Sequence, residues 1–217
     1  ALPICARTVG LTSWSRSLRA AIDDLLPMAD SGIEYVVEML GDVGDPVLQH
    51  EAAQSTVAFA ALTGAEPKFL RVPGVATSVA MRDSLLMHDS HAQEVLDMLN
   101  HLDAALAGVA GCNATSALGP GDNFFTDEQF AFARSLGAVG QVNLRFIAAD
   151  GSPVLSELDS LVTGVTLDQL KRTPQRIGVA GGRPKYEPIR AALRGGWLNT
   201  LVTDVDTARW LIDNVNG

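Results

Sequence analysis

Short apolar runs alternate along this chain with stretches in which apolar residues return every three or four positions, and the two periods predict strands and helices in turn. Strands are expected at Ile4–Gly10, Tyr35–Leu40, Lys68–Val72, Ala104–Val109, Val142–Ala148, Arg176–Ala180 and Leu198–Thr203. Helices are expected near Ser17–Leu25, Gln49–Leu62, Val79–Leu86, His91–Leu99, Asp127–Leu136, Lys185–Arg194 and Thr207–Asn214. The last helix shows the logic: Ala208, Leu211, Ile212 and Val215 fall at i, i+3, i+4 and i+7, and Thr203 and Asp204 offer capping oxygens ahead of them. Gly195-Gly196 ends the preceding helix and releases the apolar strand that begins at Trp197. Alternation of this kind describes an α/β chain with a parallel sheet flanked by helices. The least regular stretch, Gly108–Asn123, reads as a long loop at a strand's C-terminal end, where open α/β sheets bind ligands.

Composition narrows the class. The 217 residues are 47% hydrophobic, enough for one globular domain, read here as residues 1–217, and too apolar for a disordered chain. A net charge of −9, from 16 Lys+Arg against 25 Asp+Glu, argues against a broad basic face of the kind that binds nucleic acid directly. No apolar run approaches the ~18 residues of a membrane span and no signal peptide is evident, so a cytoplasmic protein is expected. Two cysteines, Cys5 and Cys112, do not make a disulfide framework. A start at Ala1-Leu2-Pro3 without Met, entering an apolar run almost at once, suits a piece of a longer chain.

Against that acidic background the basic residues cluster: eight of the sixteen lie between Lys171 and Arg209. Within the cluster, Ile177-Gly178-Val179-Ala180 runs into Gly181-Gly182 and then Lys185 at a helix start. Glycines allow close backbone approach, a helix start presents free N–H groups, and Lys185 adds a charge, which together can hold a phosphate; an ordinary strand-to-helix turn uses the same residues. The spacing fits neither a Walker A loop nor a dinucleotide fingerprint. A second candidate is the first loop, Thr12-Ser13-Trp14-Ser15-Arg16-Ser17, whose hydroxyls and Arg16 can bind an anion while Trp14 faces a sugar ring; alternatively Ser15 or Ser17 caps the helix and Trp14 joins the core. Alternation over Gln141, Asn143 and Arg145 predicts three polar side chains on one strand face, either in a polyol pocket or on a solvated edge.

Signatures of catalysis are poor. There is no G-x-S-x-G elbow and no H-E-x-x-H, and neither cysteine has a histidine close by in sequence. His88, Asp89 and His91 lack a second pair to complete a metal site, so no metal and no cofactor are expected. Asp42, Asp45 and His50 occupy a Gly-rich turn after the second strand, where turn formation and ligand contact call on the same residue types.

The block Arg176-Ile177-Gly178-Val179-Ala180-Gly181-Gly182…Lys185…Ile189–Gly196, continuing through Leu201-Val202-Thr203-Asp204 and Ala208, closely resembles the C-terminal signature of SorC-type bacterial transcriptional regulators. Trp14–Ser17 resembles their W-G-x-T, Gly64-Ala65-Glu66-Pro67 their G-A-x-P, and Gly137–Gly140 with Arg145-Phe146 and Asp150-Gly151 their G-A-V-G-D-x-x-x-R-F-x-x-x-D-G. The resemblance implies a Rossmann-like effector domain, similar to ribose-phosphate isomerases and glucosamine-phosphate deaminases, that binds a phosphorylated sugar. It further implies a dimer or tetramer that reaches operator DNA only through an N-terminal helix-turn-helix domain outside this sequence. The phosphate would sit between Ser15, Arg16 and Ser17 and the Gly181-Gly182-Lys185 turn. Ser15 and Ser17 stand where the family has Gly and Thr, and Gln141 replaces its Asp, so a different sugar is expected. The rival reading is a sugar-phosphate isomerase or deaminase, which needs a carboxylate or histidine base beside the sugar carbons; a third is a domain that only assembles.

Overall fold

A computed structural model describes residues 6–28, 30–114 and 122–214. Cys5 and Val215 lie outside them, as do the first residues of the expected Ile4–Gly10 strand and the centre of the Gly108–Asn123 loop. The strands are β1 (Thr8–Leu11), β2 (Tyr35–Glu38), β3 (Glu66–Lys68), β4 (Ala104–Ala107), β5 (Val109–Gly111), β6 (Ala138–Val142), β7 (Arg145–Ala148), β8 (Gln175–Val179) and β9 (Thr200–Val202). The helices are α1 (Arg16–Asp23), α2 (Pro46–Thr63), α3 (Val79–His88), α4 (Ser90–Met98), α5 (Asp127–Ser135), α6 (Leu167–Arg172), α7 (Tyr186–Arg194) and α8 (Val205–Asp213).

Six strands form one sheet in the order β3-β2-β1-β4-β8-β9, with every neighbouring pair parallel. Successive residues point to opposite faces and both faces are covered. Val36 and Ala104 join Leu18, Ile22 and Phe59 of α1 and α2 on one side. Val37 and Ala105 join Val95 of α4 and Ile189 and Ala192 of α7 on the other. The chain order reverses at β1: β1 and β4 are paired neighbours, and at such a switch point the connections leaving adjacent strands diverge, which is where open α/β sheets form a ligand crevice.

The second sheet, β5-β6-β7, is antiparallel and corrects the expectation of one strand over Val142–Ala148. Val142 pairs with Arg145, leaving Asn143 and Leu144 as a two-residue turn with φ of 49° and 60°. A left-handed pair of this kind matches the twist of a hairpin; Asn tolerates it and Leu does not. Leu144 is held there because it is 1% exposed in an aromatic cluster with Phe130 and Phe146, and because its N–H donates to Gln141 Oε1 at 2.8 Å. Gln141 and Arg145 therefore project from opposite faces of the hairpin, and Asn143 sits at its tip; they do not share a strand face.

Elsewhere the ends move. α2 starts three residues before the expected Gln49, with Asp45 as its cap and Pro46 in its first turn, and Gly64 closes it at φ 72°. Asp89 caps α4. β3 lies at Glu66–Lys68 rather than Lys68–Val72, its Pro67 tolerated at the sheet edge. β5 lies inside the expected loop. α6 falls outside the expected set; it is six residues long, set by a Thr166/Gln169 capping box before Thr173-Pro174. No helix among the described residues is long and apolar enough to cross a membrane.

Candidate functional site

The turn from β1 into α1 is fixed by its own backbone. Thr12 N–H donates to Leu106 O across to β4, Ser15 N–H donates back to Thr12 O, and Ser15 Oγ accepts from Leu18 N–H as the cap of α1. Gly108, at the end of β4, makes this packing possible: a Cβ there would stand 2.9 Å from Ser15 Oγ. Thr12 Oγ1 accepts from Gly108 N–H (3.3 Å) and donates to Asn143 Oδ1 (2.8 Å), joining the first loop, the crevice and the hairpin tip. The sequence shows Thr12 only as one of the first loop's hydroxyls; its tie to Asn143 carried no signal, because the two are remote along the chain.

Ser13 is buried in this loop, Trp14, Ser15 and Ser17 are half-buried, and Arg16 is exposed. Trp14 lies edge-on to Phe124 with ring centres 6.0 Å apart, so its ring is anchored in the aromatic cluster. Its Nε1 is buried and finds no hydrogen-bond partner among the described residues; the same holds for Nδ2 of Asn143. Buried donors without acceptors are expensive, and both lie on the loop or directly beneath it.

On the other side stands the turn after β8. Gly182 has φ 93°, and the single 3-10 turn Arg183–Lys185 that follows packs beside β5. The N–H of the second glycine is already taken: Gly182 N–H donates to Asp204 Oδ2 and to Thr207 Oγ1, both at 2.9 Å. The cation this turn carries is Lys185, half-buried. Burial first, and then the nearby Arg16, hold its ammonium below the ordinary lysine pKa. Among the described residues no carboxylate forms an ion pair with either cation. Arg16, from the first loop, is thus near enough to be felt electrostatically by Lys185, from the last crossover, and the unmet donors of Trp14 and Asn143 belong to the same loop and to the hairpin tip bonded to it.

The other predicted polar groups have structural partners. Arg145 is 6% exposed and donates from Nε to Val165 O and from Nη1 to Asp159 O, with Nη2 within 3.5 Å of the carbonyls of Val162 and Gly164. Its guanidinium therefore fastens the 157–165 segment and is not brought to Lys185 and Arg16. Gln141 holds the hairpin turn. Asp42 pairs with Arg71 at 2.6 Å, Asp45 caps α2, and His50 contacts Gln54. Asp204 caps α8, and its carboxyl is held below the usual range chiefly by the Thr207 hydroxyl and N–H.

Known proteins resemble both the fold and the sequence. A deoxyribonucleoside regulator of Bacillus subtilis is 28% identical over 203 residues, covering 94% of this chain and 64% of that protein. The transcriptional regulator LsrR of Klebsiella pneumoniae is 37% identical over 128 residues, 58% of this chain and 39% of its own length. The chain thus spans less than two thirds of the curated relatives it matches. The full-length sorbitol operon regulator SorC from Klebsiella pneumoniae has the same fold, with a TM-score of 0.83 at 23% identity over 94% of this chain and 65% of that one. A transcriptional regulator from Streptococcus pneumoniae has it too, with a TM-score of 0.82 at 21% identity over 97% of this chain and 79% of that one. The profile of a sugar-binding domain family matches residues 6–213, and the chain belongs to that family, the sugar-binding domain of SorC-type transcriptional regulators.

Proposed function

We propose that this chain is the effector-sensing domain of a bacterial transcriptional regulator, that its effector is a phosphorylated sugar, and that binding alters the grip of a DNA-binding domain outside this sequence on an operator of carbohydrate-metabolism genes. The observation that carries the reading is that the sugar-binding family match spans both the Arg16 loop and the Lys185 turn, two cations with no ion-pair partner among the described residues, the second lowered in pKa by burial and by the first. Two cations within electrostatic reach of each other are costly unless an anion joins them, and a phosphate dianion supplies the missing charge. Ser13, Ser15 and Ser17 surround the phosphate end, Gly181 and Gly182 shape the turn that delivers Lys185, and Trp14 and Asn143 face the sugar. Gln141 and Arg145 hold the hairpin and the segment beneath it.

Sensing needs the ligand to favour one arrangement over another, typically by about 1–3 kcal/mol of coupling. The loops that frame the crevice are the parts such a ligand would draw together, and subunit packing in a dimer or tetramer would carry the change onward. An enzymatic reading asks for a base beside the sugar. Asp204 is tied to Gly182 and Thr207 with a lowered pKa, and Asp42 to Arg71, which favours sensing in the cytoplasm over isomerisation or deamination.

The test is a thermal-shift screen against pentose and hexose phosphates and their free sugars. A ligand of the native state raises the melting temperature by mass action. The reading expects at least one phosphorylated sugar to stabilise the protein while its free form does not. Stabilisation by free sugars alone overturns it, as does turnover of a sugar phosphate.

A further inference from the structure

We propose that Asn143 selects the sugar: its Nδ2 donates to a hydroxyl or carbonyl oxygen of the effector while Thr12 holds the amide in place, so that recognition of the sugar is felt directly by the first loop. The inference rests on the sugar-phosphate reading above and assigns within it the end that distinguishes one sugar from another.

Three observations lead to it. Asn143 is 1% exposed, and Nδ2 has no partner among the described residues, whereas natural interiors pair nearly every such donor. The amide is oriented. Oδ1 is the end placed on Thr12: the hydroxyl accepts from Gly108 N–H and donates its one proton to Oδ1, with Nδ2 turned away from that bond. The residue is also placed at a cost. Asn143 and Leu144 are both left-handed, and Leu144 stays there only through its burial and the Gln141 bond. A hairpin that needed only to reverse the chain would do so with glycine; this one puts a side-chain amide against Thr12 in the turn that leaves β1.

A donor this enclosed is reached by an oxygen only as the first loop gives way over it. Thr12 belongs to that loop and holds Asn143, so occupation of Nδ2 and a shift of the loop carrying Arg16 are one event. Phosphate alone, held by Arg16 and Lys185, does not require it. Specificity and signal then share the Thr12–Asn143 pair, while affinity for the phosphate lies with the cations.

The experiment measures binding of inorganic phosphate, ribose 5-phosphate, fructose 6-phosphate and glucose 6-phosphate by calorimetry to the parent chain, Asn143→Gly and Thr12→Val. Asn143→Gly keeps the left-handed turn and removes the donor; Thr12→Val keeps the amide and removes its anchor. The parent is expected to bind at least one sugar phosphate more tightly than inorganic phosphate. Both variants should lose about three- to tenfold for that sugar phosphate, the worth of one oriented hydrogen bond, with inorganic phosphate unchanged. Thr12→Ser, which keeps the hydroxyl, should restore the parent's preference. Unaltered preference in Asn143→Gly overturns the proposal while leaving the sugar-phosphate reading standing. A parent that binds none of these probes nor any sugar phosphate of the thermal screen overturns both. Should Asn143→Gly not fold, Thr12→Val against Thr12→Ser decides, since a merely structural hydroxyl would weaken inorganic phosphate and sugar phosphate alike.

Discussion

Gly181 lies so close to Asp204 that a Cβ on it would stand 2.1 Å from Oδ2. The carboxylate occupies that space because it caps α8 through Thr207 N–H and holds Gly182 N–H in the same grip. Gly181→Ala must push Asp204 away and loosen both. The expected loss is about 1–2 kcal/mol, the worth of a cap, read by urea denaturation. An alanine variant as stable as the parent would contradict this account of the glycine pair.

Alkaline pH should weaken binding of a phosphate probe earlier than an ordinary lysine allows. Burial and Arg16 lower the proton affinity of Lys185, and a bound dianion raises it again. Binding therefore takes up a proton between the two values, and affinity falls through that window as pH rises, at most about tenfold per unit. Lys185→Arg keeps its charge throughout and should flatten the decline. Identical profiles in calorimetric titrations of the two proteins would count against Lys185 as the titrating group.

Glu38 is 2% exposed and accepts from Leu70 N–H and Thr56 Oγ1, both at 3.0 Å, with Arg71 at 3.6 Å. Burial raises its pKa against the pull of Arg71. Glu38→Ala leaves two buried donors without an acceptor and should cost about 2–4 kcal/mol of unfolding free energy. A loss below about 0.5 kcal/mol, the level of ordinary surface changes, would refute that role.

Arg145 tests the division between support and contact. Arg145→Met removes the bonds to the carbonyls of Val165 and Asp159, so stability should fall by about 2–4 kcal/mol. Phosphate affinity of the folded protein should not change. Lost affinity with intact stability would move Arg145 into the binding site.

The sheet was legible because its strands are buried runs between helices of regular period; Val36 and Val37, pointing to opposite faces, are the kind of pair the pattern rests on. The hairpin was not, since Leu144 gives no turn signal and its conformation is stabilised by a cluster built from Phe125, Phe130 and Phe146. Six residues of α6 are too few to show a period. At the site, Arg16 and Lys185 were visible as charges near loops. The Gly181-Gly182 turn does admit a close approach, but its guest is Asp204, which fills it from another element. The bond from Thr12 to Asn143 crosses 131 positions, a pairing that only the meeting of the two sheets creates.

The most direct test titrates the sugar phosphate that most stabilises the chain in the thermal screen, and its free sugar, into the parent and Lys185→Ala by calorimetry. The account predicts that the parent binds the phosphorylated form and not the free sugar, and that the variant binds the phosphorylated form at least tenfold more weakly, roughly the worth of a charge-assisted contact. The variant should lose no melting temperature, since a half-buried cation has been removed. Equal affinity of parent and variant for the phosphorylated sugar, or equal affinity of the parent for the free sugar, would contradict it.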